Sequence, residues 1–222
     1  MARSSLSVLS IALLGGCMST PVQTAETLGE GNFQFGVEPG AMGVAAGGGV
    51  GVIPSFDISG RYGISDKTDF GARLGSSVYE IWVKQMISDY DNASGPIVSI
   101  VPTGSLFFVG GGGGGGGFVN LKVPVLIGFG RESQFVLGPY VGNTLVLGGG
   151  GGEAAVGYGL TLGSSVGYSA KLNDGFRLMP ELGLGYPLLG AVGASGGGSG
   201  TDVGSNSLIF SFKLGIIAGK GR

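Results

Sequence analysis

Apolar residues alternate with small or polar residues, with a period of two, along most of the chain after residue 30. The alternation is clearest over 154–172, where Val156, Tyr158, Leu160 and Leu162 share one face and glycine, serine and threonine dominate the other. A period of two is typical of a β-strand with two chemically different faces. The pattern predicts ten strands, at roughly 31–43, 51–64, 69–75, 78–87, 96–109, 118–129, 134–147, 154–171, 176–190 and 206–218.

The connections between these predicted strands are of two kinds. Compact polar turns lie at 65–68, 88–95, 130–133 and 172–175. Glycine-rich connections lie at 44–50, 110–117, 148–153 and 191–205. A count of ten strands places all compact turns and both chain ends on one side, and all glycine-rich connections on the other. Eight strands stay possible. Short turns on one side and longer loops on the other are the rule for β-barrels that span a membrane.

Charged side chains within the predicted strands, Glu38 among them, fall on the small or polar face and never on the apolar face. A charge facing the middle of a bilayer costs about 2–4 kcal/mol, so the apolar face is expected to contact lipid and the charged face to line the barrel interior. Nine charges are predicted to form an interior network: Asp57, Arg61, Arg73, Glu80, Lys84, Lys122, Arg177, Glu181 and Lys213. Six are basic and three acidic, which leaves two alternatives, a structural network of ion pairs or a narrow conduit that prefers anions.

Aromatic residues bracket three of the compact turns, always on the apolar face. They are Tyr62, Phe70, Phe129, Phe135, Tyr168 and Phe176. Rings gathered at one level of a barrel are typical of an interfacial aromatic girdle. The alternative is that aromatic residues simply favour strand ends near turns.

Composition narrows the fold further. The chain contains 51 glycines in 222 residues, and each glycine costs a helix about 1 kcal/mol relative to alanine. After the N-terminal region no run of 18 or more apolar residues occurs, so a helical membrane span is not expected. The formal net charge of −2 argues against a nucleic-acid partner, which would require a basic stripe.

The sequence contains no histidine and a single cysteine, which removes Ser/His and Cys/His catalysis and imidazole metal sites. Two aspartate pairs, Asp66 with Asp69 and Asp89 with Asp91, lie in turns, where aspartate is common for conformational reasons. We therefore expect no enzymatic activity, no metal and no cofactor.

The single cysteine follows a short export signal. Arg3 provides a positive start, 6–14 an apolar run, and Leu14-Gly15-Gly16-Cys17 closes it. These four residues resemble the lipobox of bacterial lipoproteins. The resemblance implies removal of residues 1–16, diacylglycerol on Cys17, acylation of its new amine, for example by palmitate, and residues 17–30 as a lipidated tether. Met18 in place of aspartate favours the outer membrane. An ordinary signal peptide with an incidental cysteine is the alternative.

The segment from Ser59 to Gly71, with the turn Ser65-Asp66-Lys67-Thr68, resembles a periplasmic hairpin of bacterial outer-membrane barrels. Residues 31–222 as a whole resemble a small barrel of this class. The resemblance implies a closed, antiparallel, up-and-down all-β transmembrane barrel, processed by the lipoprotein machinery and inserted by the barrel-assembly machinery. The chain departs from the class by ending on Arg222 instead of an aromatic residue, with Phe210 and Phe212 nearest. Barrel proteases and acyltransferases of this class use histidine, so their activities do not carry over.

The sequence therefore predicts a non-enzymatic, lipid-anchored barrel in the bacterial outer membrane, with a structural or surface role and the lipid bilayer as its main partner. A narrow channel or uptake barrel for a small solute is one alternative. A soluble, lipid-tethered, lipocalin-like binding module is another, because a soluble barrel also keeps charges off its buried face. A self-assembling glycine-rich matrix protein is the third. No soluble ligand can be assigned.

Overall fold

The structure is a computed structural model, and it describes residues 22–46, 49–76, 78–89, 95–111, 114–150, 153–194, 201–202 and 207–221. The predicted signal peptide 1–16, Cys17 and Asp91 lie outside these residues. The described residues form twelve strands: β1 Phe33–Ala46, β2 Gly49–Ser65, β3 Thr68–Gly75, β4 Val78–Met86, β5 Ile97–Ile100, β6 Thr103–Gly111, β7 Gly114–Phe129, β8 Gln134–Gly150, β9 Glu153–Asn173, β10 Phe176–Ala194, β11 Thr201–Asp202 and β12 Ser207–Gly219.

The strands close into an antiparallel barrel. From β1 to β4 and from β7 to β10 each strand pairs with the next along the chain, β5 and β6 both lie between β4 and β7, and β12 completes the ring by pairing with both β1 and β10. Because β5 and β6 together fill one place between β4 and β7, the ring has ten places. The prediction of a closed ten-stranded barrel is confirmed, and the hairpin between 69–75 and 78–87 is present as β3 and β4.

Two departures from the predicted strands have physical causes. The strand predicted at 96–109 is divided at Val101 and Pro102, because proline has no N–H to donate to a neighbouring strand. The glycine-rich connection predicted at 191–205 contains the two-residue strand β11, which extends the β10 edge through Ala191 and Val192.

The barrel has a turn end and a loop end. The turn end holds the start of β1, the end of β12 and the tight connections at Asp66–Lys67, 130–133 and Asp174–Gly175. Gly130 takes φ +96° there, a conformation that residues with a side chain rarely adopt. The opposite loop end holds the connections that are rich in glycine.

The pleat of each strand separates apolar from ionic side chains as predicted. In β4, Tyr79, Ile81 and Val83 point outward with 40–59% of their surface exposed, whereas Glu80 and Lys84 point inward and are at most 2% exposed. Exposed rows of large apolar side chains continue around the barrel. A soluble lipocalin-like barrel would bury these rows, so the structure opposes that alternative and matches a barrel that faces lipid. Among the described residues, no helix has the length and apolar character needed to cross a membrane.

Residues 22–28 lie inside the barrel. All seven are buried, from fully buried Ala25 to Glu26 at 6% exposure, and the chain leaves the interior through Gly29 and Gly31, both at positive φ. We call residues 22–28 the inner segment. Residues 17–30 were predicted to form a lipidated tether. Of the described part of this range, residues 22–28 lie in the barrel interior, where contacts with the wall stabilise them.

Candidate functional site: the barrel interior

Six charged side chains meet at mid-height inside the barrel, and we call them the central cluster: Glu38, Asp57, Arg73, Glu80, Lys122 and Lys213. The Arg73 guanidinium lies 2.9 Å from Glu80 Oε1, 3.5 Å from Glu38 Oε2 and 3.8 Å from Asp57 Oδ2. Every side chain in the cluster is at most 2% exposed. Three acids face three bases, so the cluster is electrically balanced.

The two lysines join the cluster from opposite sides. Lys213 Nζ lies 2.7 Å from Asp57 Oδ2 and 3.4 Å from Glu38 Oε2, and Lys122 Nζ lies 3.0 Å from Glu80 Oε2. Ser59 donates a hydrogen bond of 2.7 Å to Glu38 Oε1. Charges taken out of water are tolerated when they are paired and hydrogen-bonded, and every carboxylate of the cluster is paired with a basic group within 4 Å.

Strand register and one glycine allow the cluster to form. Glu38 pairs with Asp57 between β1 and β2, and Arg73 pairs with Glu80 between β3 and β4. Asp57 faces Gly75 in the register of β2 and β3. A Cβ added at Gly75 would overlap the Asp57 carboxylate, so the absent side chain provides the space for that carboxylate.

A second set of charges lies nearer the turn end and contacts the inner segment. Lys84 Nζ forms an ion pair of 3.0 Å with Asp69 and donates to the backbone carbonyls of Thr24 at 3.2 Å and Glu26 at 2.6 Å. The Arg61 guanidinium donates to Gln34 Oε1 at 2.5 Å and to Thr24 Oγ1 at 3.3 Å. These barrel charges therefore bind polar groups of the inner segment.

Further hydrogen bonds fix the backbone of the inner segment. The Ala25 N–H donates to Gln134 Oε1 at 2.7 Å, and Ser99 Oγ donates to the Ala25 carbonyl at 2.6 Å. The Leu28 N–H donates to Asp69 Oδ1 at 3.0 Å. Together with Arg61 and Lys84, these partners come from β2, β3, β4, β5 and β8, so half of the barrel wall contributes to holding one peptide.

Apolar contacts complete the packing at this level. Val22 and Ala25 belong to a buried cluster with Trp82, Met86, Ile97, Val101, Leu126, Val136, Met179 and Ile217. A Cβ at Gly215 would lie 2.6 Å from the Val22 side chain. The inner segment therefore packs as a core element and not as a loose end.

The structure buries eight of the nine charges predicted for the interior: Asp57, Arg61, Arg73, Glu80, Lys84, Lys122, Glu181 and Lys213. The ninth, Arg177, is half-buried and donates to the Glu132 carbonyl at 2.8 Å beside the turn 130–133. Glu181 faces Lys213 in the register of β10 and β12. The central cluster brings five of the predicted residues together, while Arg61 and Lys84 serve the inner segment.

Three buried carboxylates were absent from the predicted network: Glu26, Glu38 and Asp69. Asp69 was interpreted as a turn residue, although its alternation with outward-facing Phe70 would have placed it inside. With these three, six acids and five bases are buried within the described residues. The basic excess that favoured an anion-preferring conduit is therefore not present.

The predicted girdle residues lie on the outer surface close to the turn end. Tyr62, Phe70, Phe129, Phe135 and Tyr168 have 42–50% of their surface exposed, and Phe176 is half-buried. Register places Tyr62 beside Phe70, and Phe129, Phe135 and Tyr168 side by side.

The aspartates considered as cation ligands are engaged otherwise. Asp69 pairs with Lys84. Asp89 forms an exposed ion pair of 2.7 Å with Lys67, and the hydrogen bond and charge of Lys67 lower the pKa of Asp89. Within the described residues, no group of three or more His, Cys, Asp or Glu side chains is arranged to hold a metal ion.

Comparison with known proteins gives the chain no family. No protein-family model and no curated protein matches it. It is similar to neisserial surface protein A, with 13% identity over 84% of this chain and 96% of that one and a TM-score of 0.44. It is also similar to the translocator domain of the autotransporter NalP from Neisseria meningitidis, with 12% identity, 98% and 96% coverage and a TM-score of 0.47. It is similar as well to the outer membrane protein OprG from Pseudomonas aeruginosa, with 10% identity over 90% of this chain and 100% of that one and a TM-score of 0.44. Because all three TM-scores are below 0.5, no family and no role follow from these likenesses.

Proposed function

We propose that this chain is a lipid-anchored barrel of the bacterial outer membrane, without enzymatic activity, that acts as a structural or surface component. The observation that carries the proposal is the filled interior. The inner segment occupies the turn end, and the central cluster occupies the level next to it. A barrel whose interior is occupied by its own groups is suited to roles at its outer surface, since narrow barrels fill with side chains and leave little room for a passing solute.

The absence of enzymatic activity is supported by the state of the interior carboxylates. Each carboxylate of the central cluster accepts from a basic group within 4 Å. A general acid or base must be within reach of a substrate proton, and these carboxylates are directed at lysine and arginine instead. The lack of histidine in the sequence supports the same conclusion.

The lipid anchor is proposed on Cys17, with processing by the lipoprotein machinery and insertion by the barrel-assembly machinery. Five peptide units separate Cys17 from Val22 and span at most about 18 Å. A lipid on Cys17 therefore stays near the turn end, which we assign to the periplasmic side. Mass spectrometry of the N-terminal peptide from membranes tests the anchor: we expect a triacylated Cys17, and an unmodified thiol on the exported protein would contradict it.

Planar-bilayer recording tests the filled interior. The purified full chain is recorded in its folded form, which is expected to change its gel mobility on boiling. We expect this form to give no discrete conductance steps at any applied voltage. Regular open-channel steps from that form would overturn the proposal in favour of the narrow channel. Gel mobility before and after boiling identifies the folded form, so a silent membrane cannot be attributed to unfolded protein.

A further inference from the structure

The outer wall of the barrel carries a hollow where the strand between β4 and β7 is interrupted. The hollow has a volume of about 400 Å³ and lies around Pro102, with Ile81, Val83, Leu121 and Val123 among its lining residues. These residues face outward, and Ile81, Val83, Leu121 and Val123 are 40–61% exposed. Binding sites for small apolar molecules usually begin at about 300 Å³, so the hollow is large enough for a chain-like apolar group.

Missing side chains create the hollow. One outward row runs through Ile81, Gly104, Leu121 and Asn143, which are neighbours in the register of β4, β6, β7 and β8. Gly104 leaves a gap in that row between two large residues, and beside it stands the compact ring of Pro102. Between Ile81 and Leu121 this outward row therefore has a gap at Gly104.

A polar group stands at one end of the hollow, on a surface that is otherwise apolar. Asn143 is exposed on the outer face, and the Tyr158 hydroxyl donates to its side-chain oxygen. In the described part of the chain, no acceptor lies within hydrogen-bond reach of the Asn143 amide nitrogen. An amide donor placed in lipid without an acceptor is costly, so an oxygen supplied by a ligand would stabilise it.

Asn143 lies at the membrane depth that is expected for the ester end of a lipid acyl chain. Asn143 lies eight residues beyond Phe135 along β8. With a rise of about 3.3 Å per residue and a strand tilt of about 40°, it stands roughly 20 Å above the girdle. The apolar band of such barrels is about 25 Å tall. Asn143 therefore lies just inside the interface nearer the loop end, where the ester oxygens of membrane lipids are found.

We propose that this hollow binds one acyl chain of a membrane lipid, with the chain over Pro102 and Gly104 and the ester oxygen accepting from the Asn143 amide. The inference depends on the membrane-embedded barrel proposed above, but not on its anchor or its sealed interior. The site recognises an apolar chain that carries an acceptor oxygen at its head.

Trp82 provides a local reporter, because it is the only tryptophan of the chain and lines the hollow from the inner side. The full chain is reconstituted into phosphatidylcholine vesicles with increasing fractions of the same lipid brominated on its acyl chains, since bromine quenches indole fluorescence at short range. We expect quenching in the wild type and loss of most of it in Gly104→Leu. A Cβ at Gly104 meets only the Leu121 side chain, at 3.7 Å, so the added leucine can occupy the hollow.

Gly60→Leu is the matched control. Gly60 also faces outward and is separated from Ile81 by Ala72 in the register of β2, β3 and β4. Its added Cβ would make an ordinary contact of 3.5 Å with Phe33 of β1, on the side away from the hollow. This variant is expected to be quenched as strongly as the wild type. Equal quenching in the wild type and Gly104→Leu would overturn the proposal. Heat-dependent gel mobility of all three proteins separates that result from a failure to form a membrane barrel.

The hydrogen bond from Asn143 and the kind of molecule that supplies the acyl chain are tested separately. Asn143→Leu is expected to reduce the preference for brominated phosphatidylcholine over a brominated hydrocarbon of equal length by about fivefold, the effect of one neutral hydrogen bond. An unchanged preference would contradict the role of Asn143. Saturable quenching by brominated free fatty acid at low mole fraction, with none from brominated phosphatidylcholine, would overturn the assignment to a membrane lipid.

Discussion

The two levels of the barrel interior are filled in different ways. The central cluster is built only from side chains of the wall, and it balances three carboxylates against three basic groups. The turn end is filled by the inner segment, whose backbone is held by Lys84, Ser99 and Gln134. The cluster cannot leave without unfolding the barrel, whereas the inner segment is joined to β1 only through 29–32. The two levels should therefore respond differently to mutation.

The largest loss of stability is expected from a substitution in the central cluster. Arg73→Met would leave Glu38, Asp57 and Glu80 without their shared cation, and removing one partner of a buried ion pair costs about 3–5 kcal/mol. Denaturant unfolding from lipid vesicles, followed by Trp82 fluorescence, measures this loss. The double variant Arg73→Met/Glu80→Gln should recover part of it, because one uncompensated charge is removed. Equal instability of the single and double variants would show that packing and not charge is responsible.

The next effect is expected where the inner segment is held. Lys84→Met removes two hydrogen bonds to backbone carbonyls and the partner of Asp69, and hydrogen bonds from a charged donor contribute about 1.5–3 kcal/mol each. We expect the barrel to stay folded while the inner segment is released, so that protease cleaves near residues 22–28. Lys122→Met, at the other level, should not expose these residues. A protease-resistant N-terminal region in Lys84→Met would contradict this view.

A smaller effect is expected from filling the space beside Asp57. Gly75→Ala would place a methyl group against the Asp57 carboxylate and should destabilise the barrel by about 1–3 kcal/mol, as overpacking does. Gly51→Ala is the control, because a Cβ there has no atom within 4 Å. The two variants are compared by their denaturation midpoints. Equal midpoints would show that the cluster adjusts freely, in contrast to its proposed rigidity.

The smallest effect concerns an ion pair outside both levels. Lys67 lowers the pKa of Asp89, so the native state favours the ionised carboxylate. This contribution is present above the ordinary pKa of 3.8 and is lost as the pH falls below it. Because both partners are exposed, Asp89→Asn should give no measurable change in stability at pH 7. A clear change there would indicate that the 87–96 connection has a structural role that its exposure does not reveal.

Local patterns could be predicted well because they depend on neighbours in the chain. The alternation over 154–172 predicted both β9 and the outward orientation of Tyr158 and Leu162. An even count of ten strands was favoured because it places the compact turns on one side of the barrel and the glycine-rich connections on the other. The same alternation placed Arg73 and Glu80 inside, since a charge at a lipid-facing position is costly.

Contacts between distant residues could not be predicted in this way. Asp57 pairs with Lys213, which is 156 positions away, because β12 closes the ring against β1 and reaches across the interior. The residues 22–28 carry no alternation that would mark them as a core element, and their burial depends on partners from five strands. Pro102 was noticeable in the sequence only as an irregularity, and its hollow exists because Gly104 and Leu121 become neighbours after pairing.

The sequence by itself determined most of the strands and the face on which most of their charges lie, because these follow from a period of two and from the cost of placing charge in lipid. It favoured ten strands without excluding eight, and closure of the ring decided that number. Only the tertiary structure decided which charges pair and what occupies the turn end. Ring closure sets the register between strands that are distant in the chain, and that register determines which side chains meet inside.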